Sequence, residues 1–77
     1  MPSRSELIAL AVNTGFVPDP GSFDADKTFA QNGIDSLDTM TVLLAIEEAV
    51  GAKFSESELA AIHSLADVER TLAQRAA

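Results

Sequence analysis

The hydroxyl best placed for chemistry in this chain lies in the stretch Gly33-Ile34-Asp35-Ser36-Leu37-Asp38. Ser36 stands between two acids where the sequence predicts the start of a long helix. Three kinds of chemistry are open to it. As a helix N-cap it would accept a backbone N–H, a contact worth about 1 kcal/mol. As a hydrolase nucleophile it would need a general base and an oxyanion hole. The only histidine, His63, falls just before a predicted helix cap, and no Gly-x-Ser-x-Gly motif is present. As an attachment point for a phosphate group it needs neither. First-turn N–H groups and the helix dipole favour negative charge there by roughly 0.3–1 kcal/mol. Asp35 and Asp38 oppose that gain by repulsion, so they must serve something else, such as recognition by a basic enzyme.

The elements that position Ser36 are legible from their caps. Ser3 with Glu6, and Ser55 with Glu58, are capping boxes; Ser64 with Asp67 repeats the idea with a shorter acid. Each precedes an apolar run. Gly15 and Gly51 follow the first two long helical segments, where a left-handed residue is wanted. Asp35 or Ser36 can cap the longest helix, which no Gly or Pro interrupts. The predicted helices span about 4–14, 36–50, 56–62 and 65–75, with no strand alternation, repeat or low-complexity tract. The fold class is therefore all-α, a small four-helix bundle with a long loop between its first two helices. That loop, from Gly15 to Asp35, is rich in Pro, Gly, Asp and Ser. Its length predicts either function or internal order, and Phe16, Val17, Phe23, Phe29 and Ile34 are expected to pin it across the bundle.

Bulk properties bound what such a bundle can do. Seventy-seven residues, 47% of them hydrophobic and 22% charged, make one small domain, read as spanning 1–77. Without cysteine, neither disulfides nor thiolate metal sites hold it together. A net charge of −7, with five scattered basic residues, excludes a nucleic-acid footprint. It suits basic protein surfaces instead. No apolar run reaches the roughly 20 residues of a membrane span, and the N-terminus lacks a signal-peptide core. The expectation is a cytoplasmic monomer with no catalytic residue, no metal site and no membrane partner.

At 100° per residue, Thr39, Val42, Leu43, Ile46, Ala49 and Val50 form the predicted core stripe of the long helix. The other side carries Leu37, Met40, Thr41 and Leu44, rimmed by Asp38, Glu47 and Glu48. Either these apolar residues pack under the loop, or they form a docking strip with a charged border. Met40 could also line a cleft with Leu43 and Ile62, or simply pack in the core.

Gly33-Ile34-Asp35-Ser36-Leu37, followed by a helix ending Ala45-Ile46-Glu47-Glu48, resembles the acyl carrier proteins. The resemblance spans the chain: leading helix, long loop, motif-bearing helix, short third helix and closing helix. It implies that a phosphopantetheinyl transferase joins 4′-phosphopantetheine from coenzyme A to Ser36 through a phosphodiester. The terminal thiol of that arm then holds an acyl group, so a protein without cysteine does thiol chemistry. Such a carrier is not an enzyme. It delivers its cargo to acyl transferases or ligases and to ketosynthase-type enzymes with basic docking surfaces. By the same resemblance Asp35 and Leu37, beside Gly33 of the motif, form the recognition context, and Asp38, Leu44, Glu47 and Glu48 match docking positions. The helix-face reading adds Met40 and Thr41 to that docking face.

Three departures bear on the pathway. Thr41 stands where fatty acid carriers commonly have an acid, and the Phe54–Leu59 region is less acidic than theirs. His63-Ser64-Leu65-Ala66-Asp67 replaces a Thr-Val-Gly-Asp type of turn. These lean toward a specialised or secondary-metabolic carrier over the housekeeping fatty acid one, the leading reading being a free-standing carrier for fatty acid or polyketide intermediates. The alternatives are an aminoacyl or peptidyl carrier, and an unmodified helical interaction module in which Ser36 is only a cap. His63, titrating near neutral pH, could modulate the turn or be a helix-junction residue without function.

Overall fold

Helices in this chain begin where a side chain accepts the first-turn N–H groups, which have no partner within the helix. The computed structural model describes residues 2–76. Helix α1, Arg4–Asn13, starts at a complete capping box: Ser3 Oγ accepts the Glu6 N–H at 3.2 Å, and Glu6 Oε1 accepts the Ser3 N–H at 2.9 Å. Helix α2, Ser36–Val50, is capped by Asp35 and stops at Gly51, whose φ of 72° is left-handed. Helix α3, Glu56–Ala61, repeats the box with Ser55 and Glu58 at 3.1 and 2.7 Å. Helix α4, Leu65–Ala76, opens with the shorter-acid version: Ser64 Oγ accepts the Asp67 N–H at 3.1 Å, and Asp67 Oδ2 accepts the Ser64 N–H at 3.2 Å.

The core is where these helices turn their apolar faces together. Leu7 and Ala11 of α1 meet Val42, Leu43 and Ile46 of α2, and Ile62, Leu65, Val68 and Leu72 close the far side. Burying each large aliphatic side chain contributes roughly 1.5–3 kcal/mol. The predicted α2 stripe holds at its centre and fails at its ends. Thr39 and Val50 are half-buried, and Ala49 is exposed. The α1 residues Ala9 and Leu10 line an open groove of about 630 Å³ together with Ala49 and Val50, so α1 does not close over the last turn of α2.

The long loop is an ordered strap. Val17, Phe23, Ala25, Phe29 and Ile34 are buried, and Phe23 and Phe29 pack with ring centroids 6.3 Å apart. Phe16 is the exception: expected as a pin, it is 38% exposed. A single 3₁₀ turn, Pro20–Ser22, breaks the loop, with Asp19 Oδ1 accepting the Ser22 N–H at 3.1 Å. Asn32 staples the rest. Its Oδ1 accepts the Asp24 N–H at 2.9 Å, and its Nδ2 donates to the Asp24 and Thr28 carbonyls, each at 2.9 Å. The loop is tied to the α3–α4 junction by Phe29 N–H donating to the His63 carbonyl at 2.8 Å and Ala66 N–H donating to the Ala25 carbonyl at 3.0 Å. These bonds satisfy backbone groups that burial would otherwise leave costly.

Candidate functional site at the start of the second helix

Gly33 places the motif. Its φ of +82° is a conformation that glycine reaches without strain, and it turns the chain back so that the Ile34 N–H bonds the Phe29 carbonyl at 2.9 Å. Ile34 then enters the core, 2% exposed, and the next residue begins α2. Asp35 is extended, with φ −76° and ψ 178°. Its Oδ1 accepts the Asp38 N–H at 2.8 Å, and its carbonyl accepts the Thr39 N–H at 2.8 Å.

Asp35, and not Ser36, is therefore the N-cap. Ser36 occupies the first helical position, is exposed, and its Oγ has no hydrogen-bond partner among the described residues. The N–H groups of Ser36 and Leu37 also lack acceptors there, as first-turn donors do before a ligand arrives. One of the two acids that seemed poor company for a phosphate is thus occupied in holding the helix start. Asp38 is half-buried, with its backbone N–H bonded to Asp35.

Ser36 lies at the edge of a cleft of about 400 Å³ between the end of the loop, α2 and α3. Met40, Leu43 and Ile62 line it as the spacing suggested, joined by Phe29, Ile34 and Leu59. Its polar residues are Asp35, Ser36, Thr39 and His63. His63 was not expected there, because its sequence position spoke only of a helix junction. The signal was indirect: Phe29 and Ile34 must both be buried, and burying them brings the loop against that junction. Among the described residues Ser36 and His63 make no hydrogen bond and no carboxylate orients the ring, so a nucleophile–base pair of the hydrolase type is not assembled there.

The outward face of α2 keeps its apolar residues in solvent. Leu37 is 79%, Leu44 54% and Met40 43% exposed, so the loop does not cover them. Thr41 and Glu48 are exposed beside them. Glu47 differs from its neighbours: half-buried, it accepts the Phe54 N–H at 2.6 Å and so fastens the α2–α3 connection.

These positions suit a phosphodiester-linked arm. Esterifying Ser36 Oγ would break no internal hydrogen bond, two backbone donors stand free at the helix start, and an apolar cleft lies beside it. Comparison with protein families matches residues 7–72 to the phosphopantetheine attachment site family. The chain belongs to that family. Its members carry a 4′-phosphopantetheine prosthetic group, so this chain is a phosphopantetheine carrier protein. Neither a search of curated proteins nor one of solved structures returned a match. The family identification names the prosthetic group of this carrier. No helix among the described residues is long and apolar enough to cross a membrane.

Proposed function

We propose that Ser36 is the attachment point of the phosphopantetheine arm, and that residues 1–77 act as one carrier domain for fatty acid or polyketide intermediates. The observation that carries the site is the division of labour at the start of α2: Asp35 caps the helix, so the Ser36 hydroxyl is exposed and unbonded. With no base bonded to that hydroxyl, a phosphopantetheinyl transferase must supply it. The chain catalyses nothing itself. Its thioester cargo is presented from the arm, and the cleft lined by Met40, Leu43, Leu59 and Ile62 offers apolar shelter to an acyl chain. Acyl transferases, ligases and ketosynthase-type enzymes with basic surfaces dock on Leu37, Asp38, Met40, Thr41, Leu44, Glu47 and Glu48, where exposed apolar side chains are bordered by acids. The carrier works as a cytoplasmic monomer in this reading.

The test is intact-mass measurement after incubation with coenzyme A and a broad-specificity phosphopantetheinyl transferase. A gain of one phosphopantetheine, lost in Ser36→Ala, is expected. A gain that survives Ser36→Ala would place the arm elsewhere, and no gain in the wild type would leave an unmodified interaction module. Loading the holo thiol from malonyl, fatty acyl or aminoacyl donors then separates the acyl reading from an aminoacyl carrier.

A further inference from the structure

His63 is the one basic side chain lining the cleft that holds Ser36. The three arginines are committed elsewhere, and Lys27 and Lys53 do not line the cleft. Arg4 pairs with Glu69 and Asp26, Arg70 with Asp67, and Arg75 with Glu58. His63 makes no ion pair among the described residues, and its ring has no hydrogen-bond partner there.

Its backbone, by contrast, is clamped from two directions. The carbonyl accepts the Phe29 N–H at 2.8 Å, and the N–H donates to Asp67 Oδ2 at 2.8 Å. The loop that ends at Ser36 and the helix that begins at Leu65 therefore both fix where this residue stands. An exposed imidazole on a fixed backbone, in the same cleft as a candidate phosphodiester site, is held within the cleft with its ring free to contact that group.

We propose that His63 is a positioning residue for the arm, its ring holding the phosphodiester on Ser36 against the cleft mouth when protonated and releasing it when neutral. The inference rests on Ser36 being the attachment point. A phosphodiester keeps one negative charge across the physiological range, whereas histidine gains its charge there. A charge-assisted hydrogen bond from N–H to a phosphate oxygen is the stronger kind. The charged groups that bear on the ring are few. Asp35, at the α2 cap, lines the same cleft and attracts the imidazolium, but its Oδ1 already accepts the Asp38 N–H. Asp67, from α4, is held by the His63 and Ser64 N–H groups and by Arg70. Helix α3 and the loop line the cleft with Leu59, Ala60, Phe29 and Ala30, which carry no charge. A phosphate on Ser36 would thus meet the free N–H groups of Ser36 and Leu37 at the helix start and the unpaired His63 ring in the cleft.

The experiment follows the ³¹P resonance of the holo protein from pH 5 to pH 8, with intact mass of the wild type and of Ser36→Ala establishing that the arm is on Ser36. A phosphodiester does not titrate in this range, so its signal moves only if a neighbour does. His63 is the only histidine. The expected result is a sigmoidal shift in the wild type, a flat line in His63→Gln, and in His63→Lys a displaced signal that no longer depends on pH. Circular dichroism checks that both variants fold. A flat wild-type ³¹P signal, or an unchanged sigmoid in His63→Gln, overturns the contact while leaving the attachment site intact. An arm that survives Ser36→Ala overturns the attachment site itself, and no arm in the wild type overturns both readings.

Discussion

At the scale of single residues, the start of α2 separates two roles that a sequence leaves fused. Asp-Ser at a helix start lets either side chain cap. The structure gives the cap to Asp35, through Oδ1 and the Asp38 N–H at 2.8 Å, and the free hydroxyl to Ser36. Their substitutions should therefore have opposite signatures. Asp35→Ala removes a cap and should lower the unfolding free energy by about 1 kcal/mol. Ser36→Ala should leave stability within about 0.5 kcal/mol, because it removes an exposed group that bonds nothing, yet abolish modification. Urea denaturation of both variants reads the difference. Equal losses would mean that Ser36 shares the cap.

At the scale of elements, the acids of α2 do not form one uniform docking rim. Glu48 points to solvent, while Glu47 is half-buried and accepts the Phe54 N–H at 2.6 Å, holding the segment that leads into α3. A bond from a backbone donor to a charged acceptor contributes roughly 1.5–3 kcal/mol. Glu47→Lys should then lower stability by about that amount, and Glu47→Gln, which keeps an acceptor, by less. Glu48→Lys should slow phosphopantetheinyl transfer at low salt and leave the melting temperature nearly unchanged. Thermal melts alongside transfer rates check both, and identical melts for the two lysine variants would count against the structural role of Glu47. The helix starts could be read from the chain because each cap is written within four residues: Ser3 with Glu6, Ser55 with Glu58, Ser64 with Asp67. Contacts set by long-range packing could not. The Glu47–Phe54 bond, the exposure of Phe16 and Ala49, and the placement of His63 in the same cleft as Ser36 all depend on how elements meet, and no local signal carries that.

At the scale of the whole molecule, two electrostatic effects act against each other. Twelve acids against five bases give a net charge of −7, and that self-repulsion opposes the folded state at neutral pH. Particular carboxylates nevertheless stabilise it. Arg75 and the Ser55 N–H hold Glu58 down at about 2. The Ser3 N–H and hydroxyl lower Glu6 from its ordinary value. Burial pushes Asp67 up, but the His63 N–H and Arg70 outweigh it and leave the group below its ordinary value. A carboxyl lowered in the folded state contributes stability above its unfolded value, and that contribution is lost as pH falls toward the folded one. For Glu58 the loss runs from about 4.5 down to about 2. Neutral to mildly acidic solution keeps these contributions while the total charge begins to fall. The melting temperature should therefore hold or rise slightly as pH goes from 7 toward 5, then drop steeply below about 4. Added salt should raise it at pH 7, since screening at about 8 Å near physiological ionic strength weakens the diffuse repulsion. The close pairs of Arg4 with Glu69 and of Arg75 with Glu58 lose less. Salt should have a smaller effect near pH 5, where less net charge remains to screen. Scanning calorimetry over pH and salt checks the pattern, and a melting temperature that falls with salt at pH 7 would show that these pairs outweigh the repulsion of the whole.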